Sequence, residues 1–150
     1  MSISDRLRAA NISLQPPATP SGAFVQFVTT QREIYVSGHI AKRDGKPWAG
    51  KLGAELTTDE GRAAARAVAI DLLGTLEAAA GGLERLARLR KVLVLVNATP
   101  AFTDPHLVAN GASELFLEIL GERGVHARSA VCVAQLPYGA CVEIELIAEI

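Results

Sequence analysis

The sequence is poor in cysteine and aromatic residues: it contains two cysteines, and Phe, Trp and Tyr together make up 5% of its residues. Cys132 and Cys141 lie in apolar, strand-like runs, where a thiol packs as a small hydrophobe, so we expect no disulfide. The cysteines and the three histidines show no metal-binding or redox spacing. The sequence therefore predicts neither a metal site nor a cofactor.

The sequence also lacks an excess of either charge, because 15 basic and 16 acidic side chains leave a formal net charge of -1. Nothing in this balance draws the chain to nucleic acid or to an anionic membrane, and we expect neither as a partner. The first residues carry charge from Asp5 onward and include no apolar stretch long enough for a signal peptide or a membrane span. We therefore expect a cytoplasmic protein.

What the sequence does contain is the composition of one globular domain spanning residues 1–150. Apolar residues make up 49% and charged residues 21% of the chain, unlike the low-hydrophobicity, high-charge profile of disorder. The length suits a single hydrophobic core rather than two cores with a site between them.

The first third of the chain predicts a lead-in, a β-hairpin and a long loop. Residues 1–22 read as a helical turn followed by a proline-rich extended stretch. Residues 23–30 and 33–40 are rich in β-branched and aromatic residues and flank a short polar turn, which is typical of a hairpin. Residues 41–56 mix glycine, proline and charge without periodicity, so they predict a loop.

Two helices and three further strands follow. Thr57 and Glu60 form a capping-box pattern ahead of an alanine-rich helix that ends near Gly81. Asp104 and Pro105 are typical of the start of a second helix, which should end near Leu120. The strands are predicted from apolar runs at residues 91–96, 128–135 and 141–150.

The predicted order is β-β-α-β-α-β-β, an α+β fold with two helices on one face of a mixed sheet. The other face of the sheet would then be uncovered. Several of the strands are apolar on both sides, and an uncovered apolar face marks an association surface. The pattern alone therefore favours a homo-oligomer.

Motifs in the last strands carry a family resemblance. The segment RSAVCVAQLP at residues 128–137, followed by VEIELIA at residues 142–148, resembles the C-terminal signature of the Rid (RidA/YjgF) family of enamine/imine deaminases. Weaker matches precede it in the same order: FVQ from Phe24, YVSGHI at residues 35–40, and Asn110 in the second helix.

The resemblance, which extends from residue 20 to residue 150, implies a chorismate-mutase-like fold. It also implies a homotrimer whose sheets form a central barrel, with three ligand clefts between neighbouring subunits. The partners would be further copies of the chain and a small carboxylate-bearing metabolite.

The resemblance assigns roles to individual residues. Arg128 would bind the substrate carboxylate, and Glu143 would position the hydrolytic water. Ser37 and Gly38 would face the cleft.

Asn110 belongs to the expected substrate-binding set, as do two positions at which this chain departs from the family. Phe24 stands where the family commonly has tyrosine, which removes a hydroxyl from the cleft. Ala130 stands where the family commonly has cysteine. The long loop at residues 41–56 also exceeds the compact family pattern and points to a divergent branch.

Without the resemblance, plainer interpretations stay open. Arg128 could be a rim arginine that pairs with a glutamate on a neighbouring strand. Glu143 shares its strand face with Glu145 and Glu149, which is typical of a solvated acidic face. Trp48 could cap a cleft or simply anchor its loop.

The leading functional prediction is a deaminase that hydrolyses reactive enamine and imine intermediates to 2-oxo acids and ammonia. The alternative is a trimeric module that binds small carboxylate metabolites without turnover. Older family labels suggest a ribonuclease or a translation inhibitor, and the neutral charge balance argues against both.

Overall fold

A computed structural model describes residues 1–150 and contains three α-helices and seven strands. In chain order these are α1 (Ile3–Ala9), β1 (Phe27–Thr29), β2 (Glu33–Ile40), β3 (Lys42–Arg43), β4 (Lys46–Pro47), α2 (Thr58–Ala80), β5 (Arg88–Asn97), α3 (Pro105–Leu120), β6 (Ala127–Val133) and β7 (Val142–Glu149). The two long helices and the five main strands follow the predicted β-β-α-β-α-β-β order.

The main sheet has the strand order β1-β2-β7-β5-β6 and is mixed, as predicted. Strands β5 and β6 are parallel, whereas the other neighbours pair antiparallel. Helices α2 and α3 pack against each other and against one face of this sheet. The α+β class and the one-sided helical layer are therefore confirmed.

Alternating side chains of the central strands build the core beneath the helices. Val92, Val94 and Val96 of β5 are fully buried on that face, and Ile144 of β7 pairs with Val94 there. The two helices approach closely, because a side chain at Gly111 of α3 would collide with the backbone of α2. A close helix pair thus seals one side of the sheet.

The opposite face of the sheet stays uncovered by the chain. Val28, Tyr35 and Val131 lie on it, and 56%, 43% and 44% of their respective surfaces are exposed. Leu93 and Leu95 of β5 are half-buried between them. The expected apolar face is present in the single chain.

Two segments differ from the sequence predictions. The first strand begins at Phe27 rather than at residue 23, so it is a short edge strand. The loop at residues 41–56 contains the β3–β4 hairpin, whose turn places Asp44 and Gly45 at positive φ. An Asp-Gly pair is a strong hairpin signal, because both residues tolerate left-handed backbone.

The helices begin where the sequence predicts. The Thr57 hydroxyl accepts a hydrogen bond from the Glu60 N–H, and α2 follows directly. Pro105 is the first residue of α3, although the Asp104 side chain makes no capping bond. None of the helices combines the length and the hydrophobicity that a membrane-spanning helix needs.

Candidate functional site

A cavity of about 770 Å³ lies beside the bulge in β2, and three of the expected site residues, Phe24, Gly38 and Glu143, line it. Gly38 lies directly against the Glu143 carboxylate, and any side chain at position 38 would collide with it. The bulge and this glycine therefore leave the space in which the carboxylate sits.

The Glu143 carboxylate is half-buried and has no hydrogen-bond or ion-pair partner in the chain. Burial raises the pKa of Glu143, and the negative charge of Glu145 on the same strand raises it further. Glu145 is exposed, so the two carboxylates share a face but not an environment. Glu143 differs from a simple solvated acidic residue in this respect.

The far wall of the cavity comes from α2 and from a histidine that the sequence analysis did not assign. The His39 Nδ1 lies 2.9 Å from the Ser37 carbonyl, and the Nε2 lies 2.9 Å from the Thr75 hydroxyl. Burial lowers the pKa of His39, and burial raises the pKa of the neighbouring Asp71. The only sequence signal for this wall was the i, i+4 spacing of Asp71 and Thr75, which places both side chains on one face of α2.

Arg128 lies elsewhere, on β6, where α3 holds its guanidinium. One nitrogen, Nη1, donates to Asn110 Oδ1 at 2.9 Å and to Ser113 Oγ at 3.1 Å. The other, Nη2, donates to the His106 carbonyl at 3.2 Å. No ion pair forms at Arg128, so the alternative of a cross-strand glutamate partner is wrong.

Ser113 in turn contacts His126, a second pair that the sequence analysis missed. The Ser113 hydroxyl lies 2.9 Å from His126 Nε2, and His126 Nδ1 lies 2.6 Å from the Gly124 carbonyl. Burial lowers the pKa of His126, and the charge of Arg128 lowers it further. The lowered pKa favours the neutral imidazole beside the serine that holds the guanidinium.

The two other expected residues take structural positions. The Ser37 hydroxyl donates to the Val25 carbonyl at 2.6 Å, which ties β2 to the chain before β1. Ala130 lies on β6, on the same side as Arg128, and packs against the core. Within the single chain, neither side chain lines the cavity.

Arg128 and Glu143 are far apart in one chain. In the sheet, Arg128 pairs with Val92 of β5, whereas Glu143 pairs with Leu95 of the same strand. They are separated by two strand spacings across the sheet and three residues along it, roughly 10 Å in each direction. Their side chains leave opposite faces, so one chain cannot place both on one small ligand.

Trp48 anchors the 41–56 loop. Its backbone N–H donates to Ala41, its carbonyl accepts from Cys141, and its ring packs against the core under the Arg43 guanidinium. Across the whole chain, no group of three or more His, Cys, Asp or Glu side chains is placed to hold a metal ion.

Comparison with known proteins identifies the family of the chain. The chain is 44% identical over 150 residues to a protein named TCP17 from Trypanosoma cruzi, covering 99% of this chain and 94% of that one. A crystal structure of a protein of unknown function from Agrobacterium tumefaciens is 37% identical, with a TM-score of 0.90 over 99% of this chain and 92% of that one.

RidA from an Antarctic Psychrobacter is also similar, at 30% identity and a TM-score of 0.61 over 90% of this chain and 94% of that one. Residues 4–150 match the family described as "YjgF/chorismate mutase-like, putative endoribonuclease". The chain therefore belongs to the Rid/YjgF family and has its chorismate-mutase-like fold.

Proposed function

We propose that the chain is a cytoplasmic enamine/imine deaminase that works as a homotrimer and converts its substrates to 2-oxo acids and ammonia. The observation that carries the proposal is the state of Arg128. Its guanidinium has five N–H donors, and three of them are used by Asn110, Ser113 and His106. Two donors remain, which is the number that a carboxylate accepts in a bidentate pair.

In the proposed trimer, Arg128 of one copy lies close to Glu143 of the neighbouring copy. A cleft between neighbours can take the guanidinium from one copy and the cavity with Glu143 from the next. The uncovered sheet face, with exposed Val28, Tyr35 and Val131, gives the copies an apolar surface through which to associate. The resemblance to the family predicts the same arrangement.

In the proposed reaction, Glu143 takes a proton from water as the water oxygen attacks the imine carbon. A C–O bond forms, and the electron pair of the C=N bond moves to nitrogen. The proton held by Glu143 then returns to that nitrogen. Glu143 then takes the hydroxyl proton and passes it to the amino nitrogen, so that the C=O bond forms as the C–N bond breaks and ammonia leaves. The raised pKa suits Glu143 to this exchange, because an acid-base group works best near the ambient pH.

The alternative is a trimeric binding module that holds a small carboxylate metabolite without turning it over. The observation that favours it is Phe24, which lines the cavity with a ring that has no hydroxyl. The family description also names a nuclease activity. The net charge of -1 supplies no electrostatic footprint for RNA.

Ammonia release from freshly generated 2-aminoacrylate separates these functions. We expect the wild-type protein to accelerate release above the spontaneous rate, and we expect Glu143→Gln to lose most of that acceleration. Glu145→Gln is the control, because it removes a charge from the same strand face outside the cavity and leaves the Glu143 carboxylate in place. It removes only the smaller of the two causes that raise the pKa of Glu143. Tight binding of a 2-oxo acid without any accelerated release would instead support the binding module.

A further inference from the structure

Tyr138 has an unusual backbone for a bulky residue. It lies in the short turn at residues 137–139 with φ 59° and ψ 17°, in the left-handed region. Burial of the side chain does not offset the cost of this backbone conformation, since 69% of the residue is exposed. Residues held in such conformations cluster at ligand-binding and active sites, where the surrounding structure enforces them.

A buried polar network enforces the turn. The side-chain amide of Asn97, which is 1% exposed, donates to the carbonyls of Gly139 and Ala140 at 3.4 and 3.1 Å. It also donates to Gln135 Oε1 at 2.9 Å, and that oxygen accepts the Leu136 N–H at 3.1 Å. The turn is therefore fixed on both sides of Tyr138.

The turn directs Tyr138 to the cavity that contains Glu143, where Phe24 also lies with 48% of its surface exposed. Two aromatic side chains on separate segments of the same cavity therefore offer apolar surface to a ligand. The wall also includes four prolines, Pro16, Pro17, Pro47 and Pro137, and most of its other residues are polar or charged.

The size of the cavity points to what covers these rings. Its volume of about 770 Å³ falls in the range of sites for drug-sized ligands, roughly 300–1,000 Å³. A three-carbon imine would fill little of the part of the site that one chain forms. Aromatic rings prefer offset-stacked or edge-to-face contact with another ring.

We propose that Tyr138 and Phe24 form an aromatic clamp for the substrate side chain, and that the preferred substrates are 2-imino acids with an aromatic side chain. This proposal rests on the proposed function, because that function supplies the 2-imino group as the reacting group. The clamp places the ring of the substrate between the two exposed rings, on the same side of the cleft as Glu143. Tyr138 is then a specificity-determining residue.

The test is calorimetric titration of the full-length protein with phenylpyruvate and with pyruvate, which share the 2-oxo acid group and differ by the ring. Three variants are compared with the wild type. Tyr138→Asn removes the ring and keeps a residue that tolerates left-handed backbone. Tyr138→Phe keeps the ring, and Phe24→Leu removes the opposite ring.

We expect the wild type to bind phenylpyruvate more tightly than pyruvate. Tyr138→Asn and Phe24→Leu should each weaken phenylpyruvate binding on the order of 2- to 12-fold, the range for loss of one aromatic pair. Tyr138→Asn should leave pyruvate binding unchanged, whereas Phe24→Leu, at a position expected to bind substrate, should weaken phenylpyruvate binding more than pyruvate binding. Tyr138→Phe should bind both acids as the wild type does.

Equal affinity of the wild type for both acids, or no binding of phenylpyruvate, overturns the clamp. Unchanged phenylpyruvate affinity in Tyr138→Asn also overturns it. Loss of the oligomer in Tyr138→Asn overturns it as well, because the ring would then belong to a subunit interface. Ammonia release from 2-aminoacrylate is measured separately. A deaminase without the ring preference refutes only the clamp, and ring preference without turnover refutes only the deaminase.

Discussion

Arg128 and Asn110 are joined by a hydrogen bond of 2.9 Å between a guanidinium nitrogen and the amide oxygen. Asn110 and Ser113 lie three residues apart on α3, so one face of the helix holds the guanidinium from the side. A charged side chain that is fixed in this way loses little freedom when it binds a ligand. In the proposed function, the pair holds Arg128 ready to bind a carboxylate.

Arg128→Lys should weaken the binding of 2-oxo acids although it preserves the charge. Lysine has no planar fork, so the bidentate contact becomes a single one. Hydrogen bonds to charged groups contribute about 1.5–3 kcal/mol, which corresponds to a loss on the order of 10- to 150-fold in affinity. Calorimetric titration measures the loss, and circular dichroism checks the fold. Equal affinity in the variant would mean that Arg128 does not contact the carboxylate.

Gly38→Ala should lower turnover without changing the Arg128 side of the site. The added methyl group would collide with the Glu143 carboxylate and displace it. General acid-base help is typically worth ~10²- to 10⁴-fold, and the loss should approach that range as the carboxylate moves away. The kcat for 2-aminoacrylate is measured beside the Kd for pyruvate. A normal kcat would show that the position of Glu143 does not matter.

Val131→Asp should break the trimer into smaller species, because it places a charge on the uncovered sheet face. Leu117→Asp is the matched control: Leu117 is 46% exposed on the outer face of α3, and Val131 is 44% exposed on the sheet. Light scattering should give a trimer mass for the wild type and the control. A wild type that is monomeric at micromolar concentration would contradict the oligomer.

Thermal stability should fall as the pH is lowered from about 7.5 to about 5.5, in part through His126. Burial lowers the pKa of His126 below its ordinary value of 6.5, so the unfolded chain takes up the proton first. Since the unfolded state then binds more protons, acid favours unfolding. His126→Gln should show a smaller decrease in Tm over this window. An identical decrease would mean that His126 titrates alike in both states.

Much of the fold could be predicted because local signals and tertiary packing agree. Strand β2 has the predicted bounds, and Thr57 caps α2 through the predicted bond. The hairpin of β3 and β4 was missed although Asp44 and Gly45 are adjacent in the sequence, because its strands are two residues long. So short a pair shows no periodicity.

The candidate site could be predicted only in part, because the family motif names residues but not their neighbours. Arg128 and Glu143 come from the motif, whereas the positions of His126 beside Ser113 and of Tyr138 at the cavity depend on the folded chain. The distance between Arg128 and Glu143 follows from the strand order, which the spacing of the motif does not contain.

A subunit-mixing experiment tests the central claim, that each site combines Arg128 of one copy with Glu143 of the next. Arg128→Ala and Glu143→Gln proteins should each be inactive alone in the ammonia-release assay. Co-refolding equal amounts lets mixed trimers form, in which about one cleft in four pairs an intact arginine with an intact glutamate. We predict recovery of about a quarter of the wild-type activity. No recovery in mixed trimers of confirmed composition would contradict it.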